Sequence, residues 1–420
     1  MEQSRMLHEA IIDDVMRSFR MHQKGHEFNL FYLIGGPGGG KTSMIRYICK
    51  KFGVGFLSYT PALERLEKFG GIPETYWVEK QNGNVSFAGK FPHGEIENYE
   101  LRTRWSVPQM ISEINDMATK HKRVLVLLDD FHLCDENIQR IGYELFTYYS
   151  LNSCPVADNV RFVLAGNSTS AAGAKTLLTA IKNRTTILKT EPDVDFWIEN
   201  FAIENGLLPA GIAFFESKQN RVYFHENEST NQQFGSPRSW TSVFRNIEDI
   251  ERDGYFSDPN RKLEDDLRHL ISLCQGSVSR NAANEFCTYF EFYRKVNAKG
   301  IFDSGNFNIP ENPIDLFAFS YACTSEFYNR AVEELSLPTQ NRKAFKIFGD
   351  IITRMNKEEH QQLCIRNINY IYKQCPSELT DDKKHTIGEK IIKDLITKGY
   401  LPTAVTEKLV SATSILQENY

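Results

Sequence analysis

No run of apolar residues in this chain reaches the roughly 18 that a membrane-crossing helix needs. The opening stretch, MEQSRMLHEAIIDDV, is charged and amphipathic rather than an apolar leader. Basic residues are not in excess either: 49 Lys and Arg stand against 54 Asp and Glu, a formal net charge of -5. A protein whose main task is to coat DNA or RNA carries the opposite balance, so nucleic acid is not expected as the chief partner, although a local basic patch is compatible with these totals. The eight cysteines are scattered singly with no CxxC pair. That pattern fits reduced, mostly buried thiols better than a disulfide frame or a zinc site. His22 and His26 have no accompanying carboxylate or cysteine pattern, so no metal is assigned to them. Internal repeats, low-complexity tracts and the NKxD motif of guanine readers are also missing. These absences lead us to expect a cytoplasmic protein.

What is present is ordinary for a soluble globular chain, with 41% hydrophobic and 25% charged residues. Its 420 residues are enough for two or three domains. Residues 9–19 place Ile11, Ile12, Val15, Met16 and Phe19 on one helical face. Short aliphatic runs predict strands over 28–34, 53–59, 124–128, 160–166 and 185–190, with helical stretches between them. Such alternation implies an α/β domain with a mostly parallel sheet covered on both faces. From about residue 193 the spacing becomes helical, interrupted by FDSGNFNIPENP and closed by the amphipathic KIIKDLITKGY. The expected organisation is an αβα core over 1–192 with an inserted hairpin at about 70–92, a helical region over 193–300, and a C-terminal helical extension over 301–420. In the insert, Asn82-Gly83 is a hairpin turn signal flanked by Tyr76, Trp77, Val85 and Phe87. Those aromatics could pack the hairpin onto the core or project outward to grip a substrate.

The sharpest signal is GGPGGGKTS: Gly35, Gly36, Pro37, Gly38, Gly39, Gly40, Lys41, Thr42 and Ser43. It fits the P-loop pattern G-x-x-x-x-G-K-[ST]. Backbone amides must curl around a polyphosphate, and only glycine lets the chain approach that closely. The N-terminus of the following helix adds a positive dipole end. Lys41 is expected to reach the β- and γ-phosphates of ATP, and the Thr42 hydroxyl to ligate Mg²⁺. A glycine-rich turn can match by chance, but this one falls between a strand and a helix.

VLVLLDDFH sets Asp129 and Asp130 at the carboxyl end of an aliphatic strand, where open α/β sheets bind ligands. With a P-loop upstream, Asp129 reads as the Mg²⁺ residue and Asp130 as the group that orients or deprotonates the attacking water. A solvated loop or a helix cap is the plainer reading of an isolated pair of acids. Asn167, in FVLAGNSTS, could hold a water or the γ-phosphate, or merely cap a turn. Arg184, ahead of another strand, could reach a neighbouring subunit's nucleotide or be a solvated surface arginine. Arg238, after Pro237 at a helix start, could reach nucleotide or pair with a local acid. His132 reads as a side chain packed beside the site rather than as a base.

The order of P-loop, acidic strand end, strand-end asparagine and two arginines resembles an AAA+ ATPase. Within that group the chain resembles the MoxR family, particularly its short bacterial and phage-borne members. The likeness runs from about residue 10 to about 370. It rests on ALERLEKFGGIPETYWVEKQNGNVSFAGKFP with its GIP element, on ENIQRIGYELF, on GSPRSW and on NAANEFCTYFEFYRK. The resemblance implies a five-stranded αβα core, a helical lid over 193–300, and a homo-oligomeric ring, expected to be a hexamer. It also implies Asn167 as a sensor, Arg184 as a finger acting on the neighbour, and Arg238 as the lid's sensor. The implied activity is ATP hydrolysis that remodels a client, often a von Willebrand factor A-domain protein. Asp130 departs from the family's usual glutamate, which puts fast turnover in doubt but not binding. The alternative is an AAA+ ATPase of DNA metabolism, such as a helicase loader or packaging factor. The acidic balance and the lack of a recognisable DNA-binding appendage count against it.

Overall fold

The unbroken aliphatic runs become strands with both faces covered. In the computed structural model the strands are β1 (Leu30–Ile34), β2 (Gly55–Tyr59), β3 (Pro73–Glu79), β4 (Val85–Phe87), β5 (Tyr99–Trp105), β6 (Val124–Leu128), β7 (Ser150–Leu151), β8 (Cys154–Pro155), β9 (Val160–Gly166) and β10 (Thr185–Lys189). The structure describes residues 13–19, 30–80, 85–87, 98–167, 177–226, 233–252, 263–355, 357, 360–373 and 387–412. They belong to two compact units, Met1–Glu191 and Pro192–Tyr420.

In the first unit five strands form one sheet in the order β10-β1-β9-β6-β2, and every pairing in it is parallel. Parallel neighbours require crossover connections, and helices such as Lys41–Phe52 and Gln109–Lys120 supply them. The side-chain alternation of β6 shows how the two faces are filled. Val124, Val126 and Leu128 join a core with Met110, Ile114 and Phe162. Leu125 and Leu127 join a second core with Val15, Phe19, Leu33, Met44 and Ile48. Each such side chain contributes about 1.5–3 kcal/mol by leaving water. The expected strands match within two residues at each described end; residues 28 and 29, like 9–12 of the N-terminal helix, lie outside the described residues.

The insert differs from a simple hairpin. β3 pairs with β4 and, along its whole length, with β5, giving a three-stranded antiparallel sheet in the order β4-β3-β5. The 70–92 boundary therefore stops short of the third strand. Cross-strand contacts explain its place: Arg104 pairs with Glu74 at 3.1 Å and lies over the Tyr76 ring at 5.8 Å. Tyr76 and Trp77 are half-buried and Val78 is buried. The Asn82-Gly83 turn falls outside the described residues, as do the side chains of Val85 and Phe87.

The second unit is helical among its described residues. One hydrophobic core runs from Trp197 to Leu409. Trp240, fully buried, packs against Phe215 at 5.1 Å and Phe286 at 5.6 Å, and its indole N–H donates to Tyr223 O at 2.7 Å. Phe302, Phe327 and Phe348 continue the same core beyond residue 300. No described helix is long and apolar enough to cross a membrane. A five-stranded parallel sheet with helices on both faces, the glycine loop leaving β1 and a helical unit following in the chain make this an α/β fold with a separate helical region.

Candidate nucleotide site

Three adjacent strands, β1, β9 and β6, direct their carboxyl ends to the same edge of the sheet, the edge at which open α/β folds bind ligands. The chain leaving β1 enters the glycine loop at once. The Gly35 N–H donates to Gly166 O at 3.3 Å, and there is no room for a larger residue: a Cβ on Gly35 would stand 2.4 Å from both the carbonyl oxygen and Oγ1 of Thr190. Gly38 and Gly40 adopt φ of 70° and 86°, a region costly for residues with a Cβ. Gly40 then opens the helix Lys41–Phe52, and its carbonyl takes the Met44 N–H at 2.8 Å. The N-cap carries no side-chain hydrogen bond and the first turn no acid. The first amides of this helix thus keep the character of an anion site.

Lys41 is 8% exposed. Its ammonium donates to Gly35 O at 3.1 Å, Gly36 O at 3.0 Å and Asn167 Oδ1 at 3.0 Å. The Thr42 hydroxyl donates to Asp129 Oδ2 at 2.5 Å. Asp129 Oδ1 accepts the Asp130 N–H at 3.0 Å, so both carboxylate oxygens are oriented. Asp130 takes a left-handed φ of 51°, and its side chain stays 43% exposed. Around the glycine loop, then, the fold brings together Lys41, Thr42, Asp129, Asp130 and Asn167. Pro37 and Gly39 lie half-buried in the loop and Ser43 is exposed in the first helical turn.

His132 is 3% exposed, on the short turn Phe131–Leu133. Its Nδ1 accepts the Asn167 backbone N–H at 3.3 Å and lies 4.0 Å from Asp130 Oδ1. Burial lowers its pKa, Asp130 opposes that, and Lys41 adds to it. Reading His132 as packed beside the site catches its position but not this bond. Tyr32 was not singled out in the sequence, yet its phenol converges with His132 at Gly166. Burial is also the main reason its pKa rises to about 12.

The two arginines are placed differently. Arg184 is exposed ahead of β10, donating to Ala180 O at 3.2 Å with its guanidinium 5.0 Å from the centre of the Tyr143 ring. It is not part of the Lys41 cluster. Arg238 belongs to the second unit, exposed in the first turn of the helix Pro237–Arg252.

No family model matches this chain, and no curated protein matches it. Among solved structures 376 chains match. One is a point mutant of Thermotoga maritima RuvB, 11% identical over 72% of this chain and 79% of that one, with a TM-score of 0.33. Another is the Thermotoga maritima RuvB Holliday junction branch migration motor, 12% identical over 74% of this chain and 78% of that one, with a TM-score of 0.31. Likeness this loose adds nothing to what the strand order and the glycine loop already show.

Proposed function

We propose that the chain binds Mg²⁺-ATP at Gly35–Ser43 and hydrolyses it, working as a MoxR-type ring ATPase that remodels a partner protein. The observation that supports this best is the meeting of Lys41, Thr42, Asp129 and Asn167 at the carboxyl ends of three neighbouring strands. The donors suit the group. Loop amides and the Lys41 ammonium match a polyphosphate, and a hydroxyl beside a carboxylate matches a hard divalent cation. Thr42 and Asp129 would hold Mg²⁺, which when bound offsets phosphate charge. Asp130, half-exposed at the strand end, would orient and deprotonate the attacking water. Asn167 would position that water or the terminal phosphate. In this reading Arg184 serves a neighbouring subunit's nucleotide, Arg238 serves as the sensor of a helical lid, the ring is a hexamer, and a von Willebrand factor A-domain protein is the client. Titration calorimetry tests the base of the scheme. The unaltered chain should bind Mg²⁺-ATP, and Lys41→Ala should weaken binding by about 10- to 100-fold through loss of charge-assisted hydrogen bonds. Equal affinity in the two would remove the proposal.

A further inference from the structure

We infer that His132 is a positioning residue of this site, whose ring ties the Asn167 backbone to the turn that carries Asp130. The inference rests on the ATPase reading above. Three observations lead to it. First, the histidine follows two acids at a strand end yet turns inward, 3% exposed, while Asp130 stays 43% exposed. A buried imidazole is unfavourable unless its nitrogens are bonded. Second, its Nδ1 accepts the N–H of the residue whose side chain meets Lys41. Asn167 thus binds Lys41 Nζ through Oδ1 at 3.0 Å and His132 through its amide at 3.3 Å. Third, the space around the ring has been cleared for it. A Cβ on Gly166 would stand 2.9 Å from His132 Nδ1 and 2.3 Å from the Tyr32 hydroxyl, so the last residue of β9 is glycine where imidazole and phenol converge.

The turn itself is fixed from below. Phe131 is fully buried, edge-on to Phe146 at 5.9 Å, and its ring leaves only 3.0 Å to a Cβ built on Gly142. Movement of Asp130 is thereby linked to a rigid support, and His132 carries that support across to Asn167. The ring is not the base. With Nδ1 accepting from an amide, a neutral imidazole carries its proton on Nε2 and has no free lone pair to take another.

The test uses two substitutions. His132→Phe keeps the ring's bulk and removes the acceptor, while His132→Gln restores an acceptor oxygen. Hydrogen–deuterium exchange at the Asn167 amide, without nucleotide, should quicken in the Phe variant and recover in the Gln variant. With Mg²⁺-ATP, kcat of the Phe variant should fall about 10- to 100-fold with little change in nucleotide Kd, the usual result of removing support behind a functional group. The Gln variant should regain part of that loss. Gly166→Ala, whose methyl would meet His132 Nδ1 at 2.9 Å as well as the Tyr32 hydroxyl at 2.3 Å, should likewise quicken Asn167 exchange and serves if the Phe variant does not fold. Unchanged Asn167 exchange, unchanged kcat, or a Gln variant no better than Phe would each overturn the inference. Failure of the unaltered chain to bind ATP would instead overturn the ATPase reading, and the nucleotide-free exchange experiment still decides whether His132 holds Asn167.

Discussion

Arg184 in the first unit and Arg366 in the second show two opposite uses of a guanidinium. Arg184 stands at the surface, its plane over Tyr143 and one bond to Ala180 O. Arg366 is enclosed by helices: it pairs with Glu216, with Asp195 at 2.6 Å, and with Glu199 at 3.7 Å. Arg221 grips the same Asp195 at 2.8 Å, and the Tyr321 hydroxyl donates to Glu216 at 2.9 Å. Burial alone would raise the Asp195 pKa, but the bonds from Arg221 and Arg366 outweigh it and hold it low. For Glu216 burial wins and the pKa is raised. This cluster of the second unit thus pairs its charges with one another. In the first unit, Lys41 donates to oxygens of Gly35, Gly36 and Asn167 among its contacts, and neutral acceptors of this kind are weaker partners than a charged oxyanion would be.

The largest expected effect would sharpen this contrast. If Arg184 acts on a neighbour's nucleotide, Arg184→Ala lowers ATP turnover by about 10³-fold, the lower end for an arginine finger, with binding retained. Mixing it with Lys41→Ala chains should restore part of the activity, since each then supplies what the other lacks. Steady-state hydrolysis of the mixtures is the measurement, and no recovery would place the finger elsewhere. Arg366→Met should leave the buried Glu216 carboxylate without its bonded guanidinium, while Asp195 keeps Arg221. The expected cost is about 3–5 kcal/mol of unfolding free energy, read from the denaturant midpoint. An unchanged midpoint would mean that the attraction within the cluster only offsets the cost of burying its charges.

Much of the first unit was legible because its physics is local. An unbroken VLVLL of five residues reads as a strand covered on both sides, and a lysine after a glycine-rich turn between strand and helix reads as an anion site. The carboxyl-end rule then brings Asp129 and Asn167 to the loop without knowledge of side-chain contacts. β5 escaped notice although Glu100-Leu101-Arg102-Thr103-Arg104-Trp105 alternates, because the hairpin signal at Asn82-Gly83 drew the boundary too early. The Arg366 cluster left no trace in the sequence. Its members Asp195, Glu216 and Arg366 are up to 171 positions apart, and nothing in a lone arginine tells a buried ion pair from a solvated one. The His132–Asn167 bond was hidden for a similar reason, since a backbone amide has no sequence signature.

Gly35→Ala probes the same contrast at its smallest scale. In the proposed nucleotide site the loop has to be both close to its neighbours and adjustable, and Gly35 is a point of close approach. An added methyl would meet the Thr190 carbonyl and hydroxyl oxygens at 2.4 Å each. Thr190 cannot retreat freely, because its N–H donates to Ile34 O at 2.7 Å, so the end of β1 must shift instead. Overpacking of this kind costs about 1–3 kcal/mol. The shift displaces Gly35 O, one of the oxygens that hold Lys41. We therefore expect weaker Mg²⁺-ATP binding together with a lower melting temperature, measured by calorimetry and thermal unfolding on the same sample. A variant that loses stability but binds ATP as tightly as before would show that Lys41 is placed by Asn167 and Gly36 rather than by the strand end.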